Sequence, residues 1–387
     1  MDFRYSEEQT LLKDSFSRLL KDQYSFGQRL RYMQTSDGWS RDVWSRFADF
    51  GILGLPFAEA DGGFGAGAVE TMIVAEQMGR GLVLEPWLAT VVLGGGILRH
   101  AAGEALRSKL VPDLVSGQAL LAFAQVEAGS RFDVNDVATR ATQAGQQWII
   151  DGQKDVVAHG GAADYLIVTA RTAGAQRDVK GVGLFFVPAT AGGVHIRETS
   201  SHDGQRTARV TFEGVAVDGE ALIGNPDDGV GLAMRVIDEA IAVLAAEALG
   251  CMEAVIDLTV EHLKTRKQFG RQIGSFQAIQ HRAAEMVMAS EQARSMAILG
   301  AMACSIDDPD ERQRQISTVK IEIGRQARFV GQQAIQLHGG LGMTKECAVG
   351  HYLCRLTVIE NSFGDSFHHL ARLADMGGVY VDREDES

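Results

Sequence analysis

The chain has 387 residues, of which 45% are hydrophobic and 6 are proline, so it is long enough for two or three domains with large cores. Its formal charge of −13 disfavours binding to nucleic acid or to an anionic membrane. Its four cysteines form no CxxC pair, the N-terminus has no signal or transit pattern, and no apolar stretch reaches the roughly 20 residues of a membrane span. We therefore expect a cytoplasmic protein with reduced core thiols.

The first third of the chain is predicted to be helical. Ser6 and Gln9 have the spacing of a capping box, and apolar residues then recur on one helical face from Leu12 to Leu20. Two further helices are expected, from Ser40 to Gly51 with Val43, Trp44 and Phe47 facing inward, and from about Val69 to Met78.

Between Gly117 and Gly224 short apolar runs alternate with turn residues, which indicates a small antiparallel sheet. Asp151-Gly152 follows one apolar run and is interpreted as a turn. Three other runs are predicted strands: Tyr165–Val168, Leu184–Val187 and Ala208–Phe212.

From Asn225 the pattern is helical again, and only the acidic tail 382–387 is expected to be disordered. Five helices are predicted, over 230–264, 276–303, 310–336, 347–358 and 366–376. The order helix, sheet, helix predicts a mostly helical α+β protein of three domains. These are an N-terminal helical domain (1–117), a middle antiparallel β domain (118–225) and a C-terminal four-helix bundle (226–387).

Several common site types are not supported by the sequence. The glycine loop Gly62–Gly67 has the wrong spacing for a Rossmann turn or a P-loop, so any dinucleotide must be held in another way. His368 and His369 are adjacent on a predicted helix and would point about 100° apart, so we expect no metal site there.

Two segments in the C-terminal third can hold a ligand. In the first, Arg266 stands close to Phe269-Gly270, and a guanidinium beside a glycine turn can grip a diphosphate with paired hydrogen bonds. In the second, closely spaced glycines follow Gln336 at the end of a helix, where they permit positive φ and close approach of a ligand. The alternative interpretation of the first segment is an ordinary loop between two helices.

These segments resemble the R-x-x-F-G…F-Q and Q-x-x-G-G-x-G signatures of acyl-CoA dehydrogenases. The resemblance extends over about residues 3–376 and includes the segments 151–154 and 160–165 of the middle domain. It implies an acyl-CoA substrate, an FAD cofactor and an electron-transferring flavoprotein as electron acceptor. It also assigns seven residues to FAD: Arg266, Gln268, Phe269, Gln277, Gln336, Gly339 and Gly340.

The family's catalytic glutamate is missing from both places where members carry it. The stretch that resembles Y-E-G-T has Gly364 at the base position, and the alternative position on the long helix is Ala240. Asp365 and Glu239 are each one residue away, a 100° rotation on a helix. We interpret Asp365 as a helix cap, or alternatively a shifted base, and Glu239 as an exposed helical glutamate.

The residues that contact the flavin ring in the family also differ. A threonine hydroxyl, an indole and a second hydroxyl are expected there, but this chain has Val126, Val156 and Ala158. The chain thus loses the contacts that the resemblance assigns to the subunit owning an active site. It keeps those that reach a neighbour's diphosphate and adenine.

The sequence therefore predicts one subunit of a heteromeric acyl-CoA dehydrogenase, an α2β2 tetramer of lipid or steroid catabolism, in which a homologous partner is catalytic. Two alternatives stay open: a stand-alone homotetramer with Asp365 as base, and a non-enzymatic scaffold or CoA-binding module. The bundle is expected to carry the interface because two helices have apolar residues on several faces: Val236, Ile237, Val243, Leu244 and Leu249, then Met286, Met288, Met296 and Ile298.

Overall fold

The computed structural model of the protein describes residues 4–379, so the tail predicted to be disordered lies outside the described residues. The described chain forms two compact units. One contains the chain up to Leu30, Ala68–Val83 and the chain from Ile241 onward, and the other contains Arg31–Gly67 and Leu84–Ala240. The division into three domains at residues 117 and 225 stays a prediction.

Helices dominate both ends of the described chain, which confirms the predicted fold class. The α-helices are α1 (Glu7–Gln23), α2 (Phe26–Met33), α3 (Arg41–Asp49), α4 (Ala68–Gly81), α5 (Gly95–Ala101), α6 (Glu104–Val115), α7 (Gly229–Thr265), α8 (Gln277–Ala303), α9 (Pro309–His338), α10 (Ala348–Asn361) and α11 (Ser366–Asp375). A π-helical segment, Leu88–Gly94, precedes α5.

The middle of the chain forms one sheet. Its strands are β1 (Leu121–Ala124), β2 (Arg140–Ala144), β3 (Gln147–Ala158), β4 (Tyr165–Arg171), β5 (Val182–Pro188), β6 (Val194–Ser200), β7 (Arg206–Asp218) and β8 (Leu222–Ile223). The spatial order is β6-β7-β3-β2-β4-β5-β8, with β1 beside β4. The pairings are antiparallel, as predicted, except that β1 and β2 each run parallel to β4.

The N-terminal helices begin where their polar residues predict. Ser6 Oγ accepts from the Gln9 N–H at 3.1 Å, and Gln9 Oε1 accepts from the Ser6 N–H at 3.0 Å. This capping box satisfies two backbone donors that a helix start leaves unpaired. Ser40 caps α3, and the three side chains predicted to face inward are buried: Val43, Trp44 and Phe47.

The turn predicted at Asp151-Gly152 is wrong. Strand β3 continues through these residues, and its register against β7 shifts between Ile150 and Gly152, which marks a bulge. Gly152 has a φ of +149°, and a Cβ there would lie 2.5 Å from Thr139 Oγ1. A bulge and a turn both select glycine, so the local sequence cannot distinguish them.

In the unit that contains the C-terminal helices, α9 is the central element. Helices α8, α10 and α11 pack against it, while α1 and α8 pack against α4. The core consists of fully buried apolar side chains: Phe16, Met286, Ala293, Val319, Val330, Leu356 and Ile359. This packing positions α9, whose end carries part of the candidate site.

Candidate functional site

The first candidate segment is a surface hairpin. Strands β9 (Lys267–Gln268) and β10 (Arg271–Gln272) pair antiparallel and are joined by Phe269 and Gly270. Both joining residues have positive φ, +54° and +78°, as a tight two-residue hairpin turn requires. Phe269 is apolar yet 90% exposed. The turn therefore displays an aromatic ring that the chain itself does not bury.

Arg266 links the end of α7 to this hairpin. Its backbone N–H donates to the His262 carbonyl at 2.9 Å, which fixes the start of its side chain. The guanidinium is exposed and makes no hydrogen bond or ion pair with any residue between 4 and 379. Gln268 in β9 and Gln277 at the start of α8 are also exposed. These side chains offer donors to a ligand at the surface.

The second candidate segment ends α9. Gly339 has a φ of +60° and its N–H donates to the Gln336 carbonyl, which closes the helix. A Cβ on Gly339 or Gly340 would meet no atom within 4 Å, so packing inside this chain does not require glycine at either position. The open backbone permits close approach of a ligand or another chain.

A pair of histidines that sequence reasoning missed brings the two segments together. The rings of His262 on α7 and His338 on α9 stack with centroids 4.4 Å apart and planes 21° apart. Burial, then the nearby His338 and Arg266, lowers the pKa of His262. His262 lies four residues before Arg266, on the same helical face, which is the signal that could have found it. His338, its stacking partner on α9, has no comparable pattern in the neighbouring sequence.

The residues around the stacked histidines fit the diphosphate part of FAD. An exposed arginine, exposed glutamines and an accessible glycine backbone supply the charge and N–H donors that phosphate oxygens accept. Their individual roles stay predictions: Arg266, Gln268, Phe269, Gln277, Gln336, Gly339 and Gly340.

The position expected for the catalytic glutamate is closed. Gly364 has a φ of +109°, and a Cβ there would lie 2.6 Å from His368 Cδ2 and 2.7 Å from His369 Nε2. His369 is fully buried, and its ring nitrogens lie 3.1 Å from Ser317 Oγ and 3.0 Å from the Phe363 carbonyl. Two imidazoles thus occupy the space into which a side chain at position 364 would extend.

Asp365 caps α11, as the sequence predicted. Its Oδ1 accepts from the His368 N–H at 2.8 Å. A carboxylate at this N-cap position is also favoured by the positive end of the helix dipole. The alternative role of Asp365, as a shifted catalytic base, stays a prediction.

At the second expected base position, Ala240 is fully buried. The prediction that Glu239 is an exposed helical glutamate is wrong, because its side chain is only 12% exposed. Its carboxylate lies 2.7 Å from His100 and 2.9 Å from Arg99. Burial opposes ionisation, but the hydrogen bond with His100 and the positive charge of Arg99 outweigh it and lower the pKa of Glu239 to about 2. A carboxylate so held is a poor general base.

The residues expected at the flavin-ring positions lie in and near a bulge of β3. Val156 is 66% exposed with a φ of +54°, at a register shift between Lys154 and Val157. Beside it, the fully buried Lys154 ammonium lies 2.6 Å from a Glu127 carboxylate oxygen. The backbone that displays Val156 is therefore anchored, although its side chain offers no polar contact.

The side chains and helices of the described residues do not fit two other kinds of site, a metal centre and a membrane span. Within the described residues no group of three or more histidine, cysteine, aspartate or glutamate side chains could hold a metal ion. The rings of His368 and His369 stand nearly perpendicular, 5.2 Å apart. None of the helices between residues 4 and 379 combines the length and apolarity of a membrane span.

Three family profiles match consecutive parts of the chain. They are the acyl-CoA dehydrogenase N-terminal domain over residues 6–118, the middle domain over 122–215 and the C-terminal domain over 227–375. The probable acyl-CoA dehydrogenase YngJ of Bacillus subtilis is 29% identical over 374 residues, covering 95% of this chain and 97% of its own.

Similarity to a solved structure agrees with these family matches. A variant of the Tcur3481-Tcur3483 steroid ACAD superposes with a TM-score of 0.85 at 26% identity, covering 96% of this chain and 97% of that one. The ChsE4-ChsE5 complex from Mycobacterium tuberculosis has a TM-score of 0.85 over 97% of this chain and 98% of its own, and at 24% identity it shows the shared fold alone. The chain belongs to the acyl-CoA dehydrogenase family of FAD-dependent oxidoreductases.

Proposed function

We propose that this chain is the non-catalytic subunit of a heteromeric acyl-CoA dehydrogenase and completes the FAD site of a homologous catalytic partner. The reaction of the assembly is α,β-dehydrogenation of an acyl-CoA thioester. The observation that carries the proposal is a contrast within one chain. The diphosphate-binding segments around Arg266 and Gln336 are exposed, whereas the base position at Gly364 is closed.

The closed base position accounts for the missing chemistry. Removal of the substrate's α-proton needs a positioned carboxylate, and general bases contribute typically about 10²–10⁴-fold to rate. Gly364 and Ala240 provide no carboxylate, and the nearby Asp365 and Glu239 are engaged in a helix cap and a buried ion cluster. We therefore expect negligible dehydrogenase activity from this chain alone.

The exposed segments account for the cofactor role. FAD, when bound, supplies the acceptor for the β-hydrogen that leaves as hydride. The role of this chain is to hold the diphosphate through Arg266 and the α9 terminus, while the partner provides the flavin-ring contacts that Val126, Val156 and Ala158 lack. Large apolar side chains on these segments are exposed, which supports coverage by another chain: Phe269, Leu341 and Met343.

The prediction that apolar faces of α7 contribute to the interface is wrong. All five apolar residues named on α7 are buried inside this chain: Val236, Ile237, Val243, Leu244 and Leu249. On α8, Met286 is also buried, whereas Met288 is 64% exposed and its neighbour Val287 is 45% exposed. The proposed interface therefore rests on the exposed hairpin, the α9 terminus and part of α8. Two such heterodimers would form the α2β2 tetramer.

The remaining partners belong to the same proposal. They are an acyl-CoA substrate and an electron-transferring flavoprotein, in the cytoplasm, in lipid or steroid catabolism. Likeness to the Tcur3481-Tcur3483 steroid ACAD supports the steroid option. The ChsE4-ChsE5 complex, whose name specifies two different chains, has the same fold.

Two other functions make different predictions about flavin absorbance. A stand-alone homotetramer that uses Asp365 as base would carry a full flavin complement when purified alone. A scaffold or CoA-binding module would carry none, even with a partner. The heteromer carries flavin only when co-expressed with a homologue that retains the catalytic glutamate.

The decisive experiment is co-purification of the two chains with flavin counted per chain. We expect one FAD for every two chains, and Arg266→Ala should lower that occupancy because it removes the diphosphate contact. Lys264→Ala is the matched control, since it removes one exposed positive charge from the same helix end. One FAD per chain, or full occupancy and affinity in Arg266→Ala, would overturn the proposal.

A further inference from the structure

A second candidate site lies on the outer face of the sheet. A groove of about 310 Å³ opens there beside Val156, where β3, β6 and β7 adjoin. It is lined mainly by charged and hydroxyl side chains: Asp155, Arg197, Thr199, Thr207 and Arg209.

The register of β6 and β7 brings two arginines together. Arg197 and Arg209 are direct cross-strand partners, so their Cβ atoms lie roughly 5 Å apart on one face. The next pair along, Ile196 and Val210, points to the opposite face, where Val210 is fully buried in the core. Both arginines are exposed and therefore share the outer face. Like charges directly opposite each other destabilise an antiparallel pair unless an anion lies between them.

The positive charge of the two arginines is not fully neutralised by neighbouring groups. Arg209 Nε donates to Asp155 Oδ1 at 2.5 Å, and the other Asp155 oxygen accepts from Gln153 at 3.3 Å. The Arg197 side chain makes no hydrogen bond or ion pair within residues 4–379. One aspartate thus faces two arginines, which leaves a net positive charge and guanidinium donors available.

Neighbouring groups complete an anion site. Thr199 Oγ1 and Thr207 Oγ1 lie 2.9 Å apart at the groove, so two hydroxyls stand beside the two guanidinium groups. Further along β6, His195 lies 3.7 Å from the Glu213 carboxylate. The exposed Val156 adds an apolar side chain to the lining of the groove.

We propose that this groove binds the phosphate or diphosphate group of a small organic phosphate ester. Arg197 and Arg209 clamp the phosphate oxygens, and Val156 contacts the organic part. Because Thr199 and Thr207 are hydrogen-bonded to each other, one of their hydroxyls remains free to donate to a further phosphate oxygen. Guanidinium groups form paired hydrogen bonds with both phosphates and carboxylates, but two arginines against one aspartate favour phosphate, which carries the larger negative charge. The site is complete within one chain and does not depend on the role proposed for Arg266.

The test measures binding of inorganic pyrophosphate and of ADP to the purified chain by calorimetry. Both should bind, and Arg197→Gln and Arg209→Gln should each weaken binding at least tenfold. Arg140→Gln is the control, because it removes an exposed arginine from β2 of the same sheet. Tighter binding of ADP assigns the site to a nucleotide-like ester, and equal binding assigns it to the phosphate group alone.

A second readout separates binding from a structural role. Without ligand, Arg197→Gln should keep or raise the melting temperature, because it removes a like-charge pair. Pyrophosphate should raise the melting temperature of the wild-type chain and not that of the variant. The proposal is overturned if neither probe binds, if Arg140→Gln weakens binding as much, or if unliganded Arg197→Gln melts several degrees lower.

Discussion

Gly364 combines a backbone conformation that favours glycine with a Cβ position that would lie within 3 Å of two imidazole rings. Gly364→Ala should lower the free energy of unfolding by about 2–4 kcal/mol, because strain at positive φ adds to overpacking against His368 and His369. Gly377→Ala is the matched control, since Gly377 has a φ of +83° but open space around its Cβ position. It should cost about 1 kcal/mol. Urea denaturation measures the free energy of unfolding of both variants. Equal losses would mean that His368 and His369 move aside at little cost.

His369 should make stability depend on pH. Burial, aided by nearby positive charges, lowers its pKa to about 3, below the ordinary value of roughly 6.5. Between these values the unfolded chain binds more protons at this site, so stability falls as the pH drops. From pH 6.5 to pH 5.0 the loss is about 1.5 kcal/mol. The free energy of unfolding of His369→Asn, measured by denaturation, should fall by about this amount less between pH 6.5 and pH 5.0, and an unchanged pH dependence would contradict the assignment.

Single residues could be read from the sequence only where their role is local or carried by the family resemblance. The assignment of Gly364 to the base position comes from the resemblance of its stretch to the Y-E-G-T motif and stays a prediction. The burial of Glu239 could not be predicted, because its partners Arg99 and His100 lie on α5 and no local pattern links the two helices. The stacked His262 and His338 escaped detection for the same reason.

The last helix provides a prediction at the scale of an element. Asp365→Ala should destabilise the protein by about 1 kcal/mol, because α11 loses the acceptor for the His368 N–H. Asp365→Asn should change stability by only a few tenths, since asparagine caps helices as well as aspartate does. Thermal unfolding of the two variants decides this, and equal destabilisation would argue against a capping role. If the chain alone were active, Asp365→Asn would also test the alternative role as base.

Elements with strong local signals were predicted to within a few residues. The capping residues Ser6 and Ser40 begin helices as expected, and the long C-terminal helices lie close to their predicted bounds. The turn predicted at Asp151-Gly152 is wrong because a distant part of the chain determines the structure there. A bulge is defined by the strand that it faces, and β7 is distant in sequence.

At the scale of the whole molecule, the exposed hairpin should control assembly. Phe269→Ser should weaken association with the proposed catalytic partner at least tenfold, because a 90% exposed apolar ring is expected to be buried in the proposed complex. The stability of the isolated chain should stay within about 0.5 kcal/mol. Analytical ultracentrifugation of the co-expressed pair measures the effect.

Leu11→Ser is the control for this assembly experiment. Leu11 is also apolar and 67% exposed, but it lies on α1, outside the proposed interface. It should leave association unchanged. If both variants assemble like the wild type, the hairpin does not lie in the interface.

The sequence could not decide which apolar faces this chain covers itself. Helix α7 is apolar on several sides, and that pattern is the same whether its neighbours belong to one chain or to two. Only the fold shows that Val243 and Leu244 are buried internally while Phe269 and Met343 stay exposed.

The packing at Gly364 also limits what a single substitution can do at this position. A glutamate there would require, at the same time, a backbone change away from φ +109° and displacement of a buried imidazole that contacts Ser317. Gly364→Glu is therefore expected to yield a destabilised protein. Under the proposed function, catalysis by this chain alone would need changes at more than one position.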